Sequence, residues 1–191
     1  MSNHFFAYIS RMRNVKRWAL MRNTEEENIQ EHSHMAAVLA HALALIENRF
    51  YGGALDAEHI AVVALYHDAE EILTGDLPTP IKYFNPAIRE AYRQVERVAG
   101  EKLLAMLPEP LRADYAPILQ NEDEDTERIV KAADKLSAYI KCVEEQKAGN
   151  LEFRRAAEQT RAALEAMQLP CVDYFLEHCM ESFSMTLDEL E

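Results

Sequence analysis

The sequence Tyr-His-Asp-Ala-Glu-Glu at residues 66–71 places an imidazole beside a carboxylate, with two more carboxylates about one helical turn further on. It lies within residues 57–74, which otherwise have the apolar composition of a buried helix. Ionisable groups in such a place are costly unless they are paired or bind a metal. On a helix, His67 and Asp68 can both reach one divalent cation, and Glu71 follows His67 by one turn. The pattern predicts metal-assisted chemistry with Glu71 acting on bound water.

Two further residues can complete a metal site. His32 lies on an apolar stripe of a predicted helix, and Asp134 lies beside the apolar face of another, where aspartate is unfavourable. Each also has an ordinary explanation: a hydrogen-bonded core histidine, and an aspartate paired with Lys131 or Lys135. Two imidazoles and two carboxylates together suit a borderline divalent ion such as Mn²⁺, Co²⁺, Fe²⁺, Ni²⁺ or Zn²⁺.

Three other residues are candidates for substrate contacts. Arg17 precedes Trp18, the single tryptophan of the chain. An arginine beside a flat aromatic can contact an anion next to a surface for a sugar or base. A solvated arginine beside a packed aromatic is equally expected. Asp76 opens a stiff Asp-Leu-Pro-Thr-Pro loop just after the predicted end of the His67 helix, where an ordinary turn carboxylate is the alternative.

Composition limits the classes of protein to which the chain can belong. Its 191 residues, 49% of them hydrophobic, suit one globular domain over residues 1–191. The net charge of −13, from 20 basic and 33 acidic residues, disfavours binding to a nucleic acid polymer. No stretch approaches the roughly 18 apolar residues of a membrane helix, and the first residues do not resemble a signal peptide. Cys142, Cys171 and Cys179 form no Cys-x-x-Cys pair, so we expect reduced thiols in a cytoplasmic protein.

Helical periodicity extends over nearly the whole chain, without alternating strand patterns or repeats. Either Thr24 with Glu27 or Asn28 with Glu31 has the spacing of a capping box for the second helix. An acidic loop is expected over residues 121–125. The sequence predicts an all-α bundle, with helices over about residues 3–14, 28–50, 56–74, 85–107, 111–119, 126–148, 151–167 and 171–183. The helices at about 28–50, 56–74 and 126–148 carry the candidate metal ligands.

The order His, then His-Asp, then Asp on helices resembles the HD-domain superfamily of metal-dependent phosphohydrolases. Further motifs are similar to those of bacterial 5′-deoxynucleotidases, which hydrolyse deoxyribonucleoside 5′-monophosphates to deoxyribonucleoside and phosphate. These motifs cover essentially the whole chain: His4-Phe5-Phe6-Ala7, Arg17-Trp18, Leu20-Met21-Arg22-Asn23, Glu31-His32-Ser33, Tyr66-His67-Asp68-Ala69-Glu70-Glu71, Leu73-Thr74-Gly75-Asp76-Leu77-Pro78-Thr79-Pro80 and Asp173-Tyr174-Phe175.

The resemblance implies a metal centre and an assembly. His32, His67, Asp68 and Asp134 would bind one divalent transition metal ion, with His32 and Asp134 also contacting the substrate. We expect Co²⁺ or Mn²⁺ in first place, with Zn²⁺, Fe²⁺ and Ni²⁺ as alternatives. The resemblance also implies a homodimer.

The resemblance further implies how the substrate is held. Arg17 would orient the phosphate, and Trp18 would pack against the deoxyribose and exclude a 2′-hydroxyl. Asp76 would hydrogen-bond the sugar at its 3′-hydroxyl, and Glu71 would be the catalytic carboxylate that acts on water. The segment 121–125 is shorter and more acidic than the family pattern, so no nucleoside contact is assigned there.

Other functions share parts of this pattern. Another HD hydrolase, acting on a nucleoside triphosphate, a cyclic nucleotide or guanosine tetraphosphate, would use the same four ligands. A ferritin-like carboxylate bundle needs two Glu-x-x-His motifs, and only Glu31 and His34 form one. A helical interaction protein would bury the same ionisable residues without binding a metal.

Overall fold

The computed structural model describes residues 3–78, 81 and 84–190, and its architecture there is all-α, as predicted. An isolated antiparallel bridge pairs Lys16 with Asn28. The predicted loop residues Thr79 and Pro80 lie outside the described residues. The α-helices are α1 (Phe5–Ile9), α2 (Ile29–Phe50), α3 (Ala57–Tyr66), α4 (Glu71–Thr74), α5 (Pro86–Ala105), α6 (Glu109–Leu119), α7 (Glu124–Lys147), α8 (Arg154–Glu165) and α9 (Pro170–His178). Short 3₁₀ segments lie at Met12–Asn14, Leu151–Phe153, Met180–Ser184 and Leu187–Glu189.

Helix α2 begins after Asn28, which caps it. The Asn28 side chain accepts hydrogen bonds from the backbone N–H groups of Gln30 and Glu31, at 3.0 and 3.1 Å. The Glu31 carboxylate accepts one from the backbone N–H of Asn28 at 3.2 Å. This capping box satisfies N–H groups that the first turn of a helix leaves without partners. The alternative box formed by Thr24 and Glu27 is therefore wrong, and Glu27 lies before the helix.

The continuous helix predicted over residues 56–74 is wrong, because the helix breaks at Tyr66. Asp56 caps the start of α3 as expected, accepting from the His59 N–H at 2.9 Å. A turn over residues 67–70 then leads into the four-residue helix α4, which ends at Gly75 with φ of +74°. A positive φ costs glycine little, so Gly75 suits this end of the helix.

At the break between α3 and α4, the side chain of His67 bonds to a backbone carbonyl of α3. In a continuous helix the Ala64 carbonyl would accept from the Asp68 N–H, four residues later. Here that carbonyl lies 2.7 Å from Nδ1 of His67 and accepts more weakly from the backbone N–H of the same residue, at 3.4 Å. The following hydrogen bonds close after three residues, as from the Glu71 N–H to the Asp68 carbonyl at 3.1 Å. The chain therefore tightens where the His-Asp pair occurs.

The two long helices, α2 and α7, pack against each other and against α3, and this contact forms the main core. Its fully buried apolar side chains include Leu43, Ile60, Ile129 and Leu136. Polar residues are buried on the same two long helices, at His32, Ser33 and Ser137. The packing of α2 on α7 therefore brings together residues that lie about a hundred positions apart in the sequence.

A smaller apolar cluster supports the turn after α3. Phe5 and Ala69 are completely buried in it, together with Leu103. Phe5 stacks on Tyr66, with ring centroids 6.4 Å apart, and meets Tyr115 edge-on at 5.3 Å. Because Ala69 lies within the turn, this packing fixes the turn against the N-terminal helix.

Several helix ends differ from the prediction. The first helix ends at Ile9, and the Ser10 hydroxyl donates to the Ala7 carbonyl at 2.9 Å, a local bond that competes with continued helix. Helix α7 begins at Glu124 rather than at Thr126, since Asp123 accepts from the Thr126 N–H at 2.7 Å. Much of the predicted acidic loop is therefore the cap and first turn of α7, where carboxylates are favoured.

A buried ion pair ties the segment before α2 to helix α7. The Glu145 carboxylate, 2% exposed, accepts from Lys141 Nζ at 2.5 Å and from the backbone N–H groups of Thr24 and Glu25 at 2.9 and 3.2 Å. The Asn150 amide donates to it at 2.8 Å. Burial opposes ionisation of this carboxylate, but these donors prevail and lower the pKa of Glu145 to about 2.

We expect Glu145→Gln to lower the free energy of unfolding at pH 7 by about 3 kcal/mol, because Lys141 loses its buried partner. Since the folded-state pKa lies below the usual value near 4.3, the ionised carboxylate stabilises the fold above that pH. This contribution is lost as the pH falls toward 2. Urea unfolding of both proteins at several pH values measures it.

The two unfolding free energies should converge as the pH falls from 5 to 2. Glu158→Gln, which changes an exposed carboxylate of α8, serves as the control and should follow the wild type at every pH. A constant difference between Glu145→Gln and the wild type over this range would contradict the assignment.

Candidate metal centre and active site

Three predicted ligands meet at the junction of α2 with the turn after α3. His32, His67 and Asp68 each offer one ligand atom, and these atoms lie within 4.8 Å of one another. The Asp68 carboxylate lies 3.6 Å from His32 Nε2 and 3.3 Å from His67 Nε2. The His32 side chain is fully buried, whereas those of His67 and Asp68 are 13% and 16% exposed. Two imidazole nitrogens and a carboxylate form a donor set that divalent transition metals bind.

The hydrogen bond of His67 favours one tautomer. A carbonyl can only accept, so Nδ1, 2.7 Å from the Ala64 oxygen, carries the proton and donates. The lone pair of Nε2 is left facing the cluster. Among the residues that the structure describes, this buried Nε2 has no hydrogen-bond partner. A buried polar atom of this kind is unfavourable by about 1–3 kcal/mol unless a ligand satisfies it, so the site fits a metal ion.

His32 is held from both sides by helix α7. Its Nδ1 lies 3.1 Å from Ser137 Oγ, and its Nε2 lies 3.1 Å from Asp134 Oδ1. Sequence reasoning missed Ser137, although a buried serine three residues after Asp134 on the same helix was a usable signal. A hydroxyl that accepts from Nδ1–H leaves Nε2 available as a ligand, which is the usual outer support of a metal-binding histidine.

Asp134 lies at the edge of the cluster. It contacts His32 but is not one of the three residues whose ligand atoms lie within 4.8 Å of one another. It does not take up the predicted pairing with Lys131, which forms an ion pair with Glu127. Burial opposes its charge, but the contact with His32 and the positive charge of Arg17 hold the pKa of Asp134 well below its usual range.

Arg17 and Trp18 join the cluster through carboxylates. Arg17 Nη1 donates to Asp68 Oδ2 at 3.3 Å, and Arg17 Nε donates to Glu27 Oε2 at 3.1 Å. Trp18 Nε1 donates to the same Glu27 oxygen at 2.9 Å, and its ring lies 5.3 Å from that of Phe153. Arg17 is only 13% exposed, so the solvated arginine considered from sequence is wrong.

The carboxylates around Arg17 change its pKa. Burial opposes that charge, but the carboxylates of Asp68, Asp134, Glu27 and Asp76 prevail and raise the pKa of Arg17. The guanidinium therefore lies amid the acidic residues that the sequence singled out, and Asp76 is close enough to act on it.

The turn after α3 also places Glu71 and Asp76. Glu71 is 7% exposed and opens α4, with its backbone N–H bound to the Asp68 carbonyl. Asp76 follows Gly75 at the other end of α4 and is half-buried. One short helix thus separates the two carboxylates that sequence reasoning assigned to water and to the sugar.

A cleft of about 670 Å³ opens beside the cluster. His67, Asp68 and Asp134 line it, and a volume of this size suits a small organic ligand. The other predicted site residues that the structure describes, Arg17, Trp18, Glu71 and Asp76, are not among those that line this cleft, and Asp68 both lines it and accepts from Arg17. Its walls carry apolar groups together with basic and acidic groups, including Val63, Tyr66, Ile118, Leu119, Val130, Arg89, Arg93, Lys131, Glu70, Glu96 and Glu127.

Comparison with known proteins gives consistent results in sequence and in structure. The model of the family described as 5′-deoxynucleotidase YfbR-like matches residues 4–183. A 5′-deoxynucleotidase of Photobacterium profundum is 50% identical over 190 residues, covering 98% of this chain and 98% of the relative.

Solved structures with the same fold are more distant in sequence. An HD-domain phosphohydrolase from Listeria innocua superposes with a TM-score of 0.81 at 22% identity, over 96% of this chain and 90% of the other. The HD phosphohydrolase DatZ of cyanophage S-2L, solved bound to dA and one catalytic Zn²⁺ ion, gives a TM-score of 0.66 at 19% identity. That match covers 93% of this chain and 95% of DatZ. At these identities the two likenesses show the HD phosphohydrolase fold.

We expect Ser137→Ala to weaken divalent metal binding by about tenfold or more, since outer hydrogen bonds orient ligating histidines. Isothermal titration calorimetry of the metal-free protein with Co²⁺ or Mn²⁺ measures the affinity. Ser33→Ala removes a buried hydroxyl next to His32 on α2 and is the matched control, for which we expect wild-type affinity. Equal affinities of wild type and Ser137→Ala would contradict this role.

Proposed function

The chain belongs to the 5′-deoxynucleotidase YfbR-like family, and we propose that it performs that activity at the cluster formed by His32, His67, Asp68 and Asp134. The substrates are deoxyribonucleoside 5′-monophosphates. A water oxygen bonds to phosphorus, the bond from phosphorus to O5′ breaks, and deoxyribonucleoside and phosphate leave. The observation that carries the proposal is the buried Nε2 of His67, which faces His32 and Asp68 with no hydrogen-bond partner among the described residues.

The four residues would hold one divalent ion. When bound, such an ion lowers the pKa of coordinated water and neutralises phosphate oxygens. The imidazole of His32 is oriented for this by Ser137 and that of His67 by the Ala64 carbonyl. The divalent metal is supported by the donor set, and Co²⁺ or Mn²⁺ stays our prediction for the preferred ion.

Arg17 orients the phosphate in this proposal. Its guanidinium is anchored by Glu27 and Asp68, so its position relative to the cluster is fixed before substrate binds. A guanidinium suits this role because its donors match the spacing of phosphate oxygens. Preorganised positive charge near the developing negative charge lowers the barrier without reorganisation.

Glu71 acts on the attacking water. It is buried beside the His67-Asp68 turn, where a carboxylate can accept a proton from water as that water attacks phosphorus. Trp18 excludes a 2′-hydroxyl from the sugar, and Asp76 hydrogen-bonds the 3′-hydroxyl. The half-buried position of Asp76 and its effect on Arg17 support its place beside the substrate.

We expect Glu71→Ala to retain the metal but to lower the turnover of dAMP by about 10²–10⁴-fold, the usual loss when a general base is removed. Calorimetric metal titration and phosphate release, measured on the same preparation, test this. His67→Ala is the comparison variant and should lose both metal and activity. If Glu71→Ala loses the metal together with activity, Glu71 belongs to the ligand set instead.

We expect Trp18→Ala to lower the preference for dAMP over AMP by roughly tenfold or more, because the side chain that excludes the 2′-hydroxyl is gone. The ratio of kcat/KM for the two nucleotides is the measurement. An unchanged ratio in a folded Trp18→Ala protein would show that selectivity arises elsewhere.

Another HD hydrolase, acting on a nucleoside triphosphate, a cyclic nucleotide or guanosine tetraphosphate, would use the same four ligands and stays the alternative. The cleft does not favour a substrate with more than one phosphate, because it is lined by as many acidic as basic side chains outside the cluster and Lys131 pairs with Glu127. The basic residues are Arg89, Arg93 and Lys131, and the acidic ones are Glu70, Glu96 and Glu127. Parallel assays of mono-, tri- and cyclic nucleotides with the same metal-loaded protein separate these activities.

The wider setting of the enzyme is part of the proposal. We infer one domain over residues 1–191 and a homodimer, for which light scattering during gel filtration is the direct measurement. Within the described residues, none of the helices has the length and apolar character needed to cross a bilayer. Cytoplasmic location stays a prediction from the free cysteines, of which Cys142 and Cys171 are buried.

A further inference from the structure

Glu27 occupies a place that the proposed activity does not yet explain. A single oxygen of its carboxylate, Oε2, accepts from Arg17 Nε at 3.1 Å and from Trp18 Nε1 at 2.9 Å. The Glu27 side chain is only 15% exposed. Two consecutive residues that are assigned to different parts of the substrate are therefore held by one atom.

The backbone fixes Glu27 opposite Arg17. The Arg17 N–H donates to the Glu27 carbonyl at 2.9 Å, and the Ile29 N–H donates to the Val15 carbonyl at 3.0 Å. Between these bonds, Lys16 and Asn28 form the isolated antiparallel bridge. Since a shift by one residue would turn every side chain to the other face, this pairing sets which carboxylate meets Arg17.

The conformation of Trp18 shows that its place is imposed by its surroundings. Its φ of +58° lies in the left-handed region, which bulky side chains rarely adopt. Such a conformation persists only where neighbouring contacts determine it, and it is concentrated at functional sites. The side chain of Trp18 bonds to Glu27 and packs on Phe153, and its carbonyl accepts from the Met21 N–H at 2.9 Å and from the Asn23 amide at 3.4 Å.

The same carboxylate also lies next to the metal cluster along the chain. Asn28, the cap of α2, follows Glu27 directly, and His32 lies in the first turns of that helix. Through Arg17, Glu27 connects to Asp68 on the opposite side of the cluster. Glu27 therefore joins Arg17 and Trp18 to two of the three elements that carry the proposed metal ligands.

We propose that Glu27 is a positioning residue that fixes Arg17 and Trp18 as one unit, so that phosphate orientation and rejection of a 2′-hydroxyl depend on the same carboxylate. This inference rests on the proposed 5′-deoxynucleotidase activity. It predicts that one substitution, at a residue that does not touch the substrate, impairs turnover and sugar selectivity together.

The test compares Glu27→Gln and Glu27→Asp with Glu26→Gln, using metal-loaded full-length protein and both dAMP and AMP. Glu26 is the matched control because it is the preceding residue, is 72% exposed and pairs with the exposed Lys16 rather than with Arg17 or Trp18. Glu27→Gln should lower kcat/KM for dAMP by roughly tenfold or more, since small displacements of a positioning group are costly. The ratio of dAMP to AMP turnover should fall severalfold, Glu27→Asp should be intermediate, and Glu26→Gln should match the wild type.

Fluorescence gives a readout that does not depend on activity. Trp18 is the single tryptophan, so its emission reports directly on the indole environment. Glu27→Gln should shift that emission and increase its quenching by acrylamide, whereas Glu26→Gln should do neither. Wild-type protein that does not hydrolyse dAMP would refute the proposed function, while the emission would still decide whether Glu27 holds Trp18.

An unchanged ratio of dAMP to AMP turnover in Glu27→Gln overturns the proposal, whether or not the rate falls, because the two effects are then separate. Unchanged Trp18 emission overturns it as well. A thermal unfolding midpoint is recorded for each variant, and if Glu27→Gln does not fold, Glu27→Asp is judged by the same two criteria.

Discussion

The site depends on one hydrogen bond that a side chain makes where a helix would use its backbone. His67 Nδ1 binds the Ala64 carbonyl, and the helix breaks there instead of continuing to Thr74. The bond has two consequences at once. It leaves Nε2 of the imidazole facing the cluster, and it tightens the turn that carries Asp68 and places Glu71 at the start of a new helix.

Packing on two sides stabilises the turn that carries His67 and Asp68. The apolar cluster at Phe5 buries Ala69 from one side, and the packing of α2 on α7 fixes His32 from the other. Asp68 then serves both neighbours, since it faces the two imidazoles and also accepts from Arg17. In the proposed site, substrate orientation by Arg17 and metal binding would therefore share the Asp68 carboxylate, and a change at either one is expected to affect the other.

Sequence reasoning was reliable where a local pattern encodes the structure. The all-α class and the meeting of His32 with His67 and Asp68 followed from apolar periodicity and residue type, whereas the cap at Asn28 was one of two that the spacing allowed. The break at Tyr66 was missed because an apolar stripe does not distinguish hydrogen bonds that close after three residues from those that close after four. Glu27 and Ser137 were missed because their partners lie on other segments of the chain, and a local pattern does not show which segments meet. Glu27 had been considered only for a helix cap.

The most direct test of this account is phosphate release from dAMP and AMP in parallel, after the protein is stripped of metal with EDTA and resupplied with Co²⁺, Mn²⁺, Mg²⁺ or Zn²⁺. We expect no phosphate release without metal. Once metal is resupplied, phosphate release from dAMP should be much faster than release from AMP. Phosphate release that does not depend on added metal would contradict a metal centre that includes His67. Equal release from the two nucleotides would contradict selection of the deoxyribose by Trp18.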